Sequence, residues 1–177
     1  MRFEKLEQNI IDMIKEEQAK LDYRKESIRL YYPLSSLVHL TGENLGEQEM
    51  LALLSEFGEE TKEHLGGVTV TAKKDRFCFL IPEEGVVYVK EHTSPNEFIH
   101  DLVNLVGTHG CTMDEIKALF EKQPWPVTVE PVNNEEFDIL IRFGEGADDP
   151  YYYCFKDEGF HFIYHRFLPE DYEDFGF

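Results

Sequence analysis

Between Tyr151 and Phe167 the chain reads YYYCFKDEGFHFIYHRF, two aromatic runs separated by Asp157-Glu158-Gly159. Eight of these residues are Phe or Tyr and Ile163 adds a β-branched position, a composition that suits a pleated, largely buried surface. The stretch is therefore expected to form two β-strands joined by their own turn. Asp157-Glu158-Gly159 suits a three-residue loop in which glycine takes the left-handed position. That loop pairs Lys156 with Phe160. Phe160, Phe162 and Tyr164 then share a face with Cys154 and Tyr152, while Tyr151, Tyr153 and Phe155 share the other with His161, Ile163 and His165. Both faces are aromatic, so something is expected to pack on each and the hairpin is expected to lie centrally.

A chain of 177 residues is long enough to bury about 70% of the surface its unfolded form exposes, and the expectation is one domain over residues 1–177. At 42% hydrophobic and 14% aromatic the composition is that of a folded protein. Lys and Arg number 17 against 36 Asp and Glu, a net charge of −19. Such a charge repels nucleic-acid backbones and anionic lipid headgroups, which argues against nucleic acid and membrane as partners. Cys78, Cys111 and Cys154 are odd in number and widely spaced, so they are read as reduced thiols. The first residues open directly into an amphipathic pattern without a signal peptide, and no apolar run approaches a membrane span. A cytoplasmic location is expected.

Phe3, Leu6, Ile10, Ile14 and Leu21 recur at helical spacing and predict one long helix ending near Tyr23. Ser27–Tyr32 has strand character, but Pro33 followed by SSLVHLTG reads as a short helix closed by Gly42. Met50, Leu54, Phe57, Thr61 and Leu65 predict a helix that Gly66-Gly67 terminates. Strands follow: VTVTAKK, a turn at Asp75, RFCFLI, and a third strand VVYVK reached through Pro82-Glu83-Glu84-Gly85. The run from Cys78 to His92 echoes the run from Cys154 to His165, which raises a duplicated sheet unit as one possibility. Ser94-Pro95-Asn96-Glu97 and Thr112-Met113-Asp114-Glu115 are helix starts, and the two helices behind them, facing inward through Phe98, Leu102, Leu105, Val106 and through Ile116, Leu119, Phe120, form an expected αα-hairpin. Beyond Trp125 come VTVEPV, a turn at Asn133-Asn134, FDILIRF, and the aromatic hairpin. The acidic tail carries Tyr172 and Phe175 as possible docking pegs.

No assembled catalytic motif is present. His161 and His165 lie on one strand face, but four residues of strand span about 13 Å, too far for one ion. His109 and Cys111, with His92 or His100, lack any CxxC or HExxH spacing, so no metal and no cofactor are assigned. Ser35, Ser36, Cys111 and Cys154 come without a nucleophile elbow, and the glycines lack phosphate-binding spacing. The helices from Ser94 to Gln123 lack the third helix of a winged-helix reader, and Asp114-Glu115 opens the second.

The segments IRLYYPLSSLVHL, HGCTMDEI and YYYCFKDEGFHFIYHRF resemble a small uncharacterised family from Gram-positive gut anaerobes, known only as a domain of unknown function. The similarity covers nearly the whole chain. It implies a bacterial, cytoplasmic, one-domain protein, and it brings no activity, cofactor or functional residue with it.

The expected fold is α+β: N-terminal helices, about seven mostly antiparallel strands, and an αα-hairpin inserted between two strand groups. The preferred function is a non-catalytic protein-binding module that engages a basic protein or a second copy of itself. Tyr151, Tyr152 and Tyr153 form its candidate patch and His161 and His165 lie beside it. The alternative is a small hydrolase or transferase using His161 or His165 beside Tyr152 or Tyr153; a deep pocket around either imidazole would favour it.

Overall fold

The computed structural model describes residues 2–132 and 134–171. The chain is α+β, with seven helices and seven strands among the described residues, and the strands form two antiparallel sheets. It divides into two compact units, Met1–Glu97 and Phe98–Phe177.

In the first unit, α1 (Glu4–Leu21) buries Leu6, Ile10 and Ile14 at helical spacing, and Phe3 just before it is buried as well. Leu21, expected on that face, is 63% exposed because it sits in the last turn, beyond the packed stripe. β1 (Ile28–Pro33) and α2 (Leu34–Thr41) follow directly. The ambiguous Ser27–Gly42 segment is thus a strand and then a helix, closed by Gly42 at φ 74°. α3 (Glu47–Glu60) and α4 (Lys62–Leu65) share the predicted apolar stripe, with a break at Thr61 and a stop at Gly66. Met50, Leu54, Phe57, Thr61 and Leu65 are all buried.

β2 (Thr69–Lys73) and β3 (Arg76–Ile81) form the expected hairpin, and β1 pairs with the other edge of β3, giving the order β1-β3-β2. Alternation assigns the faces. Leu30, Tyr32, Phe77, Phe79 and Ile81 point inward and are buried, and Phe79 meets Tyr32 and Phe57 edge-on at 5.1 and 6.4 Å. Tyr32 also donates its hydroxyl to Asn9 Oδ1 at 2.6 Å, fixing α1 to the sheet. The opposite face carries Arg29, Tyr31, Thr69, Thr71 and Lys73, all exposed.

VVYVK is not a strand. It belongs to α5 (Glu83–His92), which begins after Pro82 with two glutamates in its first turn. Those carboxylates complement the positive end of the helix, and Val86 and Val89 are buried one turn apart. Gly85 lies so close to α4 that a Cβ there would stand 2.2 Å from the Leu65 carbonyl oxygen. Tertiary packing therefore overrides the strand preference of the β-branched residues. The echo between Cys78–His92 and Cys154–His165 has no structural counterpart, since the first copy is strand then helix and the second is two strands. The expected count of seven strands holds only because β1 replaces this segment.

In the second unit, α7 (Met113–Glu121) opens with the predicted capping box: Thr112 Oγ1 accepts from Glu115 N–H, and Glu115 Oε2 accepts from Thr112 N–H at 2.7 Å. α6 (Glu97–Val106) begins at Glu97 rather than Pro95 and buries Ile99, Leu102 and Val106. β4 (Val127–Pro131), β5 (Ile139–Phe143), β6 (Tyr152–Asp157) and β7 (Phe162–Phe167) form a meander in that order. The expected turn at Asn133-Asn134 includes a position outside the described residues, and so do the tail pegs Tyr172 and Phe175.

Candidate functional site: the aromatic hairpin

The aromatic hairpin forms, but in another register. Cys154 lies opposite His165 and Lys156 opposite Ile163, three residues away from the Lys156–Phe160 pairing expected of a three-residue loop. The cause is local. Asp157 stays in the ladder, its N–H donated to Asp138 Oδ2 at 2.9 Å on the neighbouring strand side, while its own Oδ1 accepts Gly159 N–H at 2.8 Å. This side-chain turn, with Glu158 N–H bonded to the His161 carbonyl at 3.0 Å, makes a four-residue loop. Gly159 has the expected left-handed conformation, φ 86°. Asp138 is held below the usual carboxylate range first by that Asp157 N–H and then by the Lys156 ammonium, 3.3 Å away.

An odd register shift exchanges the faces. Tyr153, Phe155, Phe162, Tyr164 and Arg166 now share one side; Tyr152, Cys154, Ile163, His165 and Phe167 share the other. The first side packs on the helices, with Phe120 edge-on to Tyr153 at 5.2 Å and to Phe155 at 6.0 Å. The second is closed by a smaller core of Phe137, Leu140, Cys154 and Phe167, with Val132 and Tyr152 against it. Something does pack on each face, as the composition demanded. Burial there pushes the Cys154 thiol up to about 12.

The predicted site residues separate accordingly. Tyr151 and Tyr153 are buried, at 3% and 0% exposure, so they are not part of an open patch. Their surroundings explain it: Asp149 accepts Tyr151 N–H at 2.9 Å and the Tyr153 hydroxyl at 2.5 Å, and the Arg166 guanidinium lies 3.8 Å over the Tyr151 ring. Tyr152 is half-buried on the opposite side, where its hydroxyl accepts from Arg142 at 3.2 Å. His161 lies in the hairpin loop and His165 on the outer face of β7, both exposed; the His165 ring is 6.1 Å from Phe137 and 6.4 Å from Phe167. The structure thus places His165 and Tyr152 on one face and sends Tyr153 to the other.

The hairpin is not central. β6 is interior, and β7 comes last in the strand order of the sheet among the described residues. On that side of the sheet Phe160 is 77% exposed and Ile163 44% exposed. These are two of the five large apolar side chains exposed among the described residues, and only two positions separate them. The sequence reading missed both, because the three-residue-loop register placed them within covered faces. The usable signal was the Asp-x-Gly spacing at Asp157 and Gly159, which favours a side-chain turn. At the other edge of the sheet, β4 ends in Glu130-Pro131, a charge and a residue without an N–H, both of which discourage strand addition.

Among the described residues no group of three or more His, Cys, Asp and Glu is placed to hold a metal ion. No described helix is long and apolar enough to cross a membrane. In the first unit His64, Tyr88 and His92 form a continuous ring stack, with centroids 5.1 and 4.2 Å apart, and Glu7 Oε1 meets His64 Nδ1 at 2.8 Å. Tyr88 and His92 are one helical turn apart on α5, so a strand reading of that segment hides the cluster.

Comparison with curated proteins and with solved structures finds no match to this chain. A family model does match residues 3–176, so the chain belongs to the family described as "Domain of unknown function, E. rectale Gene description (DUF3877)".

Proposed function

We propose that this chain is a non-catalytic, cytoplasmic protein-binding module whose recognition element is the β7 side of the hairpin with Phe160 and Ile163. The observation that carries the reading is the pair Phe160 and Ile163, two exposed large apolar side chains at the end of the sheet order β4-β5-β6-β7. A partner strand that adds to β7 gains main-chain hydrogen bonds, while Phe160 and Ile163 supply side-chain contact. Residues 98–177 hold five Lys and Arg against 17 Asp and Glu, a net −12, which favours a basic partner. His161 and His165 lie beside these residues and are exposed to solvent, which supports binding over the hydrolase or transferase alternative.

The test uses the full chain immobilised as bait in bacterial cytosol, beside a Phe160→Ser/Ile163→Lys variant with an unchanged melting temperature. A basic protein held by the wild type and lost by the variant supports the reading. Its association rate should fall steeply with salt, as the screening length shrinks from ~30 Å at 0.01 M to ~8 Å at 0.15 M. Identical captured sets for both baits would overturn the proposal, as would turnover in a hydrolase screen that His165→Ala abolishes.

A further inference from the structure

The outer face of the first unit's sheet has a chemistry opposite to that of the chain as a whole. Alternation along β1, β3 and β2 brings Tyr31, Cys78 and Thr71 into one cross-strand row. Arg29 stands two residues to one side of this row, and Arg76 and Lys73 stand paired two residues to the other. The cations are thus about 13 Å apart along the strands, with an aromatic ring between them. The rows of this face carry no carboxylate; the adjoining acidic residue is Asp75, in the β2–β3 turn. Tyr31 is 62% exposed. Among the described residues the side chains of Arg29, Arg76, Lys73 and Tyr31 make no hydrogen bond, ion pair or ring contact. A cluster of three unpaired cations is notable where Asp and Glu outnumber Lys and Arg by 36 to 17.

We propose that this face binds an extended acidic peptide segment of another protein, one that places an aromatic or apolar side chain between carboxylates. The guanidinium groups of Arg29 and Arg76 offer forked donors to carboxylates, and the Tyr31 ring with half-buried Cys78 gives the intervening side chain a surface to lie on. Charge complementarity selects a short acidic segment over a nucleic acid. A peptide confines its negative charges to the width of the face, whereas a phosphate backbone runs past three cations into the field of a chain with net charge −19. This surface prefers the opposite charge from the β7 edge, so the two are separable in one titration.

The experiment titrates the full chain with a fluorescein-labelled peptide of four carboxylates around one phenylalanine, read by anisotropy and by amide NMR shifts. Low-salt binding is expected, with shifts confined to β1, β3 and β2. Arg29→Gln/Arg76→Gln should weaken it at least about tenfold at an unchanged melting temperature. A peptide with glycine in place of phenylalanine should bind more weakly, and Tyr31→Ala should erase that difference. The proposal fails if the peptide does not bind, if a basic peptide binds as well, or if the shifts fall elsewhere. It fails equally if a single-stranded oligonucleotide of the same charge binds more tightly.

Discussion

The two sheets of this protein solve the same burial problem differently. In the first, buried positions along β1 and β3 alternate with exposed or half-buried ones, so one face meets α3 and the other faces solvent. In the second, β6 buries Tyr153, Cys154 and Phe155 in succession, so the sheet has to be covered on both sides. Helices supply one cover; Phe137 and Val132, from the connection between β4 and β5, supply the other. Charge follows a similar contrast: residues 1–97 have 12 Lys and Arg against 19 Asp and Glu, a net −7, while residues 98–177 carry −12 on fewer residues. A period of two in the sequence leaves a face free, whereas a continuous aromatic run consumes both faces and leaves only an edge.

The largest effect that would sharpen this contrast is at the covered face. Phe120 is fully buried and touches Phe98, Phe143, Tyr153 and Phe155, so Phe120→Ala should cost about 3–5 kcal/mol by urea denaturation. A loss below about 1 kcal/mol would mean that the helices do not form that cover. In the first unit the tight spot lies between helices. Gly85→Ala, which in an open helix would gain about 0.5–1 kcal/mol, should instead lose about 1–3 kcal/mol, because the new methyl meets the Leu65 carbonyl.

The cover on the other side of the second sheet has a pH signature. The Cys154 thiol is raised to about 12 by burial, so it stays neutral in the folded chain while an unfolded thiol ionises near pH 8.5–9. Its contribution is therefore fully present below the unfolded value and declines as pH rises toward 12. Between pH 9 and 10 the loss should be about 1 kcal/mol in urea titrations, and Cys154→Val should remove that component. The smallest effect belongs to the bare face: Tyr31→Ala should change stability by less than about 0.5 kcal/mol. A larger loss would show that this face is covered.

Much of this architecture was legible in the chain. The capping box at Thr112, the stripe from Met50 to Leu65 and the aromatic hairpin carry strong local signals that tertiary packing leaves intact. Two features were hidden because non-local contacts decide them. The helix of Glu83–His92 is stabilised by Gly85 against Leu65 and by buried Val86 and Val89, none of which outweighs β-branching when read locally. The hairpin register depends on Asp138 reaching Asp157 from across the sheet, a contact 19 positions away in sequence. With the register went the site: Tyr151 and Tyr153 moved into a buried frame with Asp149 and Arg166, and Phe160 and Ile163 moved out.

The proposed recognition element is tested most directly by amide hydrogen exchange on the full chain, alone and saturated with a basic protein recovered in the capture experiment. The account predicts slower exchange across residues 160–167 on binding and unchanged exchange over β4, whose Glu130-Pro131 end discourages strand addition. Protection over β4, or none along β7, would contradict it.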